Sequence, residues 1–442
     1  MKQTINTFEA AVEYLYSMPR FTSKNTLEDT RAQLVRLGSP DRHIGQIIHV
    51  AGTNGKGSVC AYLSSVLREA GLRTAVFTSP HLVDIRERFA VDGSMISGED
   101  FLRIFLRIYD SLDWAELEQG RGYHPTFFEY LFFMAMLYFA EQKPDYCILE
   151  TGLGGRLDAT NAVFEKALTV ITRISRDHME HLGDTVAAIA GEKAGIMSGT
   201  APLVYCDEVP EASAVFVERA QDLQIRAYPV SKKDYSFLKN TNKTIDFSLH
   251  TRYYDYIGII LRTSARYQME NAALAVRAVE VLFQGQRITA GQIQDGLEKS
   301  FWPGRMEEIL PEVFVDGAHN EDGIRAFLDT VREDGCTADG RRRILLFSVV
   351  QDKDYRTMIR QVLASELFDR IFVAHMETGR AAALDSLRAL WETEERGNAE
   401  TVFCEDVRTA LQSVLAEQGE ARIYIAGSLY LVGEIKEFLW ND

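Results

Sequence analysis

Short apolar runs rich in β-branched residues alternate with amphipathic stretches of helical spacing along nearly the whole chain, the pattern of parallel sheets covered by helices on both faces. The spacing predicts strands at Gln46–Ala51, Thr74–Thr78, Tyr146–Glu150 and Leu168–Thr172, with helices such as Val59–Ala70 and Phe127–Glu141 between them. The grammar repeats in the last third. Strands are predicted there at Val313–Asp316, Ile344–Ser348, Arg370–Ala374, Thr401–Cys404 and Arg422–Ala426, and helices near Glu321–Asp334, Leu384–Glu395 and Val407–Glu417. The fold class is α/β. Phe301-Trp302-Pro303-Gly304-Arg305 follows a helical stretch ending near Lys299, and its Pro-Gly pair predicts a turn or hinge. The expected organisation is a first domain over 1–299, a hinge linker over 300–305 and a second domain over 306–442. Residues 230–265, richer in Tyr, Thr, Asn and Asp, read as a strand-and-loop appendage of the first domain.

A length of 442 residues fits two or three domains, each able to bury its own core. Forty-eight basic against 64 acidic residues leave a net charge of −16, a field that repels nucleic acid and anionic membrane but still permits a local basic pocket. The five cysteines, Cys60, Cys147, Cys206, Cys336 and Cys404, are scattered without metal-ligand spacing, which argues against a disulfide framework or a structural zinc site. Met1 to Asn6 lacks the apolar core of a signal peptide, and the longest apolar run, Tyr130 to Ala140, is half what a bilayer span needs. A cytoplasmic protein with no membrane partner is expected.

The strongest chemical signal is Ile48-His49-Val50-Ala51-Gly52-Thr53-Asn54-Gly55-Lys56-Gly57-Ser58, an apolar strand entering a glycine-rich loop and then a helix. Such a loop turns successive N–H groups towards phosphate oxygens, the helix start adds its positive dipole end, and Lys56 adds a point charge. It is not a regular Walker A sequence, because Val50 stands where the first glycine belongs and Gly57 where a metal-binding hydroxyl should follow the lysine. A phosphate cradle needs magnesium, and Glu150 ends an apolar strand at the edge where open α/β sheets gather ligands. Ser79, after another strand, could supply the hydroxyl that Gly57 cannot.

Other candidates have plainer readings beside them. His178 and His181 follow the strand Leu168–Thr172, but magnesium prefers oxygen, and a surface histidine is the preferred reading of His181. Lys193 lies in a helix of small apolar residues, where most lysines reach out to solvent. Asp316 ends an apolar strand and is placed either to accept from a ribose hydroxyl or to cap the helix that begins after His319 and Asn320. Arg305, beside the hinge, is placed to clamp a transferring phosphate when the domains close.

Taken together these residues resemble the folylpolyglutamate synthase and dihydrofolate synthase group of the Mur-ligase superfamily. The resemblance runs through Gly52 to Ser58, Thr78-Ser79-Pro80-His81-Leu82, Glu87-Arg88, Pro125 to Glu129, Glu150 to Asn161, Asp177-His178 with Leu182-Gly183, and Glu192 to Ile196. It continues through Pro303-Gly304-Arg305, Asp316 to Asn320, Asp352-Lys353-Asp354 and Gly427 to Leu431. It implies a P-loop-type ATPase domain with a mainly parallel sheet, a smaller C-terminal Rossmann-like domain, and ATP-dependent joining of L-glutamate to folate or dihydropteroate. Gly52, Thr53, Asn54, Gly55, Lys56, Gly57 and Ser58 would hold the ATP phosphates, with Gln268, Asn271, Arg305, Asp316 and His319 as further ATP contacts. Ser79 and Glu150 would hold one magnesium, and His178 with a carbamylated Lys193 a second. Lys56, Lys193, Arg305 and His178 would be catalytic, and Thr126, Phe128, Arg156 and Asp158 would border the acceptor. Tyr267 stands where the family more usually has histidine. The expected unit is a monomer. A cell-wall Mur ligase is disfavoured by Lys56-Gly57-Ser58, and a non-catalytic nucleotide-binding module by the joint presence of Glu150, His178, Lys193 and Arg305. A dinucleotide dehydrogenase lacks support because no GxGxxG follows either first strand.

Overall fold

The computed structural model describes residues 4–18, 25–241, 243–333, 340–394, 399–419 and 421–441. Cys336, Met1–Gln3 and the predicted last residues of two helices, Asp334 and Glu395, lie outside the described residues. Cys60, Cys147, Cys206 and Cys404 are buried free thiols.

Eight strands form the first sheet: β1 (Gln46–Ala51), β2 (Thr74–Phe77), β3 (Phe89–Val91), β4 (Ser94–Met95), β5 (Tyr146–Glu150), β6 (Leu168–Ile171), β7 (Leu203–Cys206) and β8 (Ala227–Val230), in the order β4-β3-β2-β5-β1-β6-β7-β8. The central pairings, β2 with β5, β5 with β1 and β1 with β6, are parallel, so the loops after all four strands leave one edge. Burial on both faces explains the near-continuous apolar strands. Ile48 and Val50 enter a core beneath the helices Lys56–Glu69 and Tyr267–Phe283, whereas Ile47, Cys147 and Leu149 enter the opposite core against Phe127–Gln142. That last helix buries nearly its whole circumference, which is why its sequence lacks an amphipathic stripe.

The appendage is a small antiparallel sheet of β9 (Tyr235–Asn240), β10 (Ile245–His250) and β11 (Asp255–Leu261). A third sheet holds β12 (Glu307–Leu310), β13 (Val313–Val315), β14 (Arg342–Phe347), β15 (Arg370–Ala374), β16 (Glu400–Cys404) and β17 (Ala421–Ala426), in the order β12-β13-β17-β14-β15-β16. It is parallel except for the β12–β13 pair, and helices cover both of its faces.

Segments from each side of residue 300 enter the other's packing. Ala265 and Tyr267 pack into a core of the third sheet, and Leu82 packs against the other. Between the facing sheet edges runs a continuous cleft of about 1910 Å³. Phe132, fully buried under the first sheet, tests the core that holds this edge in place. Phe132→Ala is expected to cost about 3–5 kcal/mol in denaturant unfolding; a loss below ~1 kcal/mol would contradict the packing described.

Candidate active site

The chain turns out of β1 through Gly52 to Gly55 and starts the helix at Lys56, three residues before the predicted start. Gly55 is in a left-handed conformation (φ 89°), and an added Cβ would fall 2.2 Å from Asn271 Oδ1, so only glycine fits. Gly57 is explained by packing: an added Cβ would fall 2.6 Å from the indole ring of Trp302. The hydroxyl of a regular Walker sequence is therefore excluded by the segment joining the two halves. Ser58, in the first helical turn, accepts a hydrogen bond from Gln268 Nε2 at 3.1 Å, and Asn271 donates to Gln268 Oε1 at 2.9 Å. The predicted nucleotide segment thus lies directly behind the loop.

Two lysines converge at the end of β1. Lys56 Nζ donates to the carbonyls of Gly52 (3.1 Å) and Thr53 (3.2 Å), and Lys193 Nζ donates to Gly52 O at 2.8 Å. Lys193 does not reach solvent: burial, with Lys56 nearby, brings its ammonium pKa down to about 7. One strand over, Glu150 is buried and its Oε2 accepts the Ser79 amide at 3.0 Å. Burial pushes its carboxyl pKa up, opposed by Lys56, the Ser79 amide, Arg305 and Arg88.

The donor chemistry separates the two metal positions inferred from sequence. Glu150 and the Ser79 hydroxyl are hard oxygen donors that suit magnesium, which keeps waters and substrate phosphates as its other ligands. His178 and an unmodified Lys193 offer an imidazole and an ammonium, which do not. His178, brought down to about 4 chiefly by burial, is a neutral imidazole whose Nε2 lies 3.1 Å from Lys353 Nζ. Lys353 also donates to Asp177 Oδ1 at 2.5 Å. Against the opposing effect of burial, Lys353, His319 and His178 hold the Asp177 carboxyl well below the usual range. Breaking such a buried pair costs about 3–5 kcal/mol.

The third sheet's loops complete the cleft. Asn54 and Asn320 exchange amide hydrogen bonds of 3.2 and 3.0 Å, and Asn320 Nδ2 also donates to Asp177 Oδ2 at 3.1 Å. Asn320 caps the helix Glu321–Arg332 by accepting from the Gly323 amide at 2.8 Å. His319 lines the cleft with Nδ1 2.7 Å from Gly317 O. Arg305 and Asp316 line it as well. The open ribose acceptor expected at Asp316 is a buried carboxylate that already accepts from Tyr267 Oη (2.6 Å), Met306 N (3.0 Å) and Ala318 N (2.8 Å). Tyr267 therefore ties the helix Tyr267–Phe283 to the end of β13.

On the acceptor side, Thr126 caps the helix Phe127–Gln142 in a reciprocal box with Glu129. Phe128 lies against Gly152, and Asp158 is buried under the loop that it stabilises. Arg156 departs from expectation. Arg156 is absent from the cleft lining; its backbone N–H donates to Glu192 O and its guanidinium pairs with the Glu192 carboxylate at 2.6 Å. With 62% of its side chain exposed, it does not contribute the expected basic group inside the groove. Tyr16 stacks on Phe127, with centroids 5.7 Å apart, and the buried Arg88 lies over the same ring while donating to His81 Nδ1 at 2.8 Å. Tyr16, Phe127 and Lys353 carried no role in the sequence reading. Lys353 stood within a quoted motif, but only the fold brings it to Asp177.

The Gly57–Trp302 contact yields a double-mutant test. Gly57→Ala is expected to raise the KM for ATP about tenfold or more, and less in a Trp302→Ala background; simple additivity would contradict steric coupling between loop and linker.

The Mur ligase middle domain matches residues 50–279, and the Mur ligase glutamate ligase domain matches residues 304–429. The dihydrofolate synthase/folylpolyglutamate synthase of Bacillus subtilis is 35% identical over 98% of this chain and 99% of its own. The Mycobacterium tuberculosis folylpolyglutamate synthase complexed with ADP superimposes with a TM-score of 0.87 at 29% identity, covering 98% of each chain. E. coli FolC in complex with DHPP and ADP does so with a TM-score of 0.84 at 25% identity, covering 100% of this chain and 99% of that one. The chain belongs to the Mur ligases, in the family of folylpolyglutamate synthases and dihydrofolate synthases.

Proposed function

We propose that the protein is an ATP-dependent ligase that adds L-glutamate to folates through an acyl phosphate, with dihydropteroate as a second acceptor of the same groove. The observation that carries the reading is one continuous cleft in which Lys56 and Glu150 face Arg305 and Lys353 across the sheet edges, beside an aromatic wall of Tyr16, Phe127 and Phe128. A flat heterocycle suits that wall. The dual name of the Bacillus subtilis relative and the DHPP in the FolC complex support both acceptors.

In this reading the acceptor carboxylate attacks the γ-phosphorus of ATP, ADP leaves, and the amino group of glutamate displaces phosphate from the acyl phosphate. Lys56 and the loop amides hold the phosphates, and Arg305 meets the γ-phosphate from the opposite side. Glu150 and Ser79 would hold magnesium, which when bound neutralises charge on the phosphate oxygens. Gln268, Asn271 and His319 border the nucleotide, while Asp316 acts through the backbone and Tyr267 that it binds. Lys193 would join His178 at a second magnesium once carbamylated, because a carbamate replaces a buried cation with oxygen donors. All these residues come from one chain, and the proposed unit is a monomer with the domain boundary at 300–305.

Lys56→Ala and Glu150→Ala are each expected to lower acceptor-dependent ADP release about a thousandfold while leaving circular dichroism and melting unchanged. Release like that of wild type in either variant would remove the assigned ATP site. Lys193→Ala should lose most activity and regain part with formate or bicarbonate, and native mass spectrometry in bicarbonate should find one added carbon dioxide on the unsubstituted protein. An unaffected Lys193→Ala variant would exclude the carbamate.

A further inference from the structure

His49 has no part in the chemistry proposed above, yet it is the polar side chain at the middle of the central strand. It lies in β1 opposite Leu149 of β5 and Thr169 of β6, fully buried, with Ile48 and Val50 on either side. Its Nε2 is 2.8 Å from Thr160 Oγ1, and that hydroxyl donates to Asp158 Oδ1 at 2.5 Å. A threonine hydroxyl carries one proton, and a carboxylate can only accept. Since Thr160 gives its proton to Asp158, His49 must donate through Nε2, which leaves Nδ1 as a bare acceptor. Nδ1 is buried without a hydrogen-bond partner. Burial also keeps this imidazole neutral. A buried imidazole with one unmatched nitrogen is less stable in such a core than an aliphatic side chain, so its presence calls for a role other than packing.

The chain of bonds leads to the acceptor wall. Asp158 Oδ1 also accepts the Thr160 amide at 3.0 Å, and Oδ2 accepts the Leu153 amide at 2.9 Å. One carboxylate thereby staples both ends of the loop Gly152–Asp158, and Gly152, Leu153 and Leu157 line the cleft opposite Phe128. The orientation of Asp158 depends on the Thr160 hydroxyl, and the hydroxyl's direction is fixed by the donor from His49.

We propose that His49 is a positioning residue for the acceptor groove: through Thr160 it orients Asp158 and so sets the loop against which the folate or dihydropteroate binds. The inference rests on the acceptor reading under Proposed function, and it predicts an effect on the acceptor without one on ATP.

His49→Leu removes the donor and the unmatched nitrogen together, whereas His49→Gln keeps a donor near the position of Nε2. The Leu variant is expected to melt no lower than wild type, to raise the acceptor KM about tenfold, and to leave kcat and the KM for ATP within about twofold. Hydrogen exchange at the Leu153 and Thr160 amides should speed up in the Leu variant, and the Gln variant should restore both acceptor KM and exchange. Unchanged acceptor KM and exchange in the Leu variant would overturn the inference. So would a parallel rise in both KM values with a lower melting temperature, the signature of a merely structural residue. If wild-type protein glutamylates neither acceptor, the functional reading falls, while the exchange arm still decides whether His49 sets the loop.

Discussion

Two buried or half-buried lysine nitrogens share one backbone carbonyl. Lys56 and Lys193 both donate to Gly52 O at the carboxyl end of β1, while Glu150 is buried at the end of the neighbouring strand. Burial, with the neighbouring Lys56, lowers the pKa of Lys193 to about 7, while nearby carboxylates oppose that shift. The parallel order β2-β5-β1-β6 brings four loop starts to one edge, and Asp177 supplies negative charge just beyond.

The same constraint accounts for how the second half of the chain meets the first. Lys353 and Asn320 come from loops of the third sheet, yet both bond Asp177. Trp302 presses on the first turn after the glycine-rich loop, and Tyr267 joins the helix Tyr267–Phe283 to Asp316. A change at the loop is therefore felt at the linker and at β13 without passing through solvent.

The glycine-rich loop between β1 and its helix was legible in the sequence because its signal is local: strand, glycines, lysine and helix follow one another in eleven residues. Glu150 was legible for a similar reason, as a carboxylate at the end of an apolar strand. The absent hydroxyl at Gly57 was visible but its cause was not, since Trp302 lies 245 positions further along the chain. Arg156 was misplaced because loop spacing does not tell which side of the backbone faces the cleft; its neighbours Gly155 and Leu157 line it and Arg156 does not. Phe127 and Lys353 stood inside matching segments but received no role, because only tertiary packing sets Phe127 against Tyr16 and brings Lys353 to Asp177, and Tyr16 lay in no such segment. Five of the six strands of the third sheet were placed within two residues, because buried parallel strands keep short apolar runs bounded by polar turns, whereas the half-buried antiparallel edge strand β12 has no such run and was missed.

The account stands on transfer of the terminal phosphate to the acceptor's own carboxylate at this edge. The most direct measurement is to label that carboxylate with heavy oxygen, run the ligation with ATP, magnesium and glutamate, and determine by mass where the label goes. An acyl phosphate carries one acceptor oxygen away, so the account predicts one labelled oxygen in the inorganic phosphate for each amide formed. Amide product with unlabelled phosphate would contradict the assigned chemistry, however well the cleft accommodates the substrates.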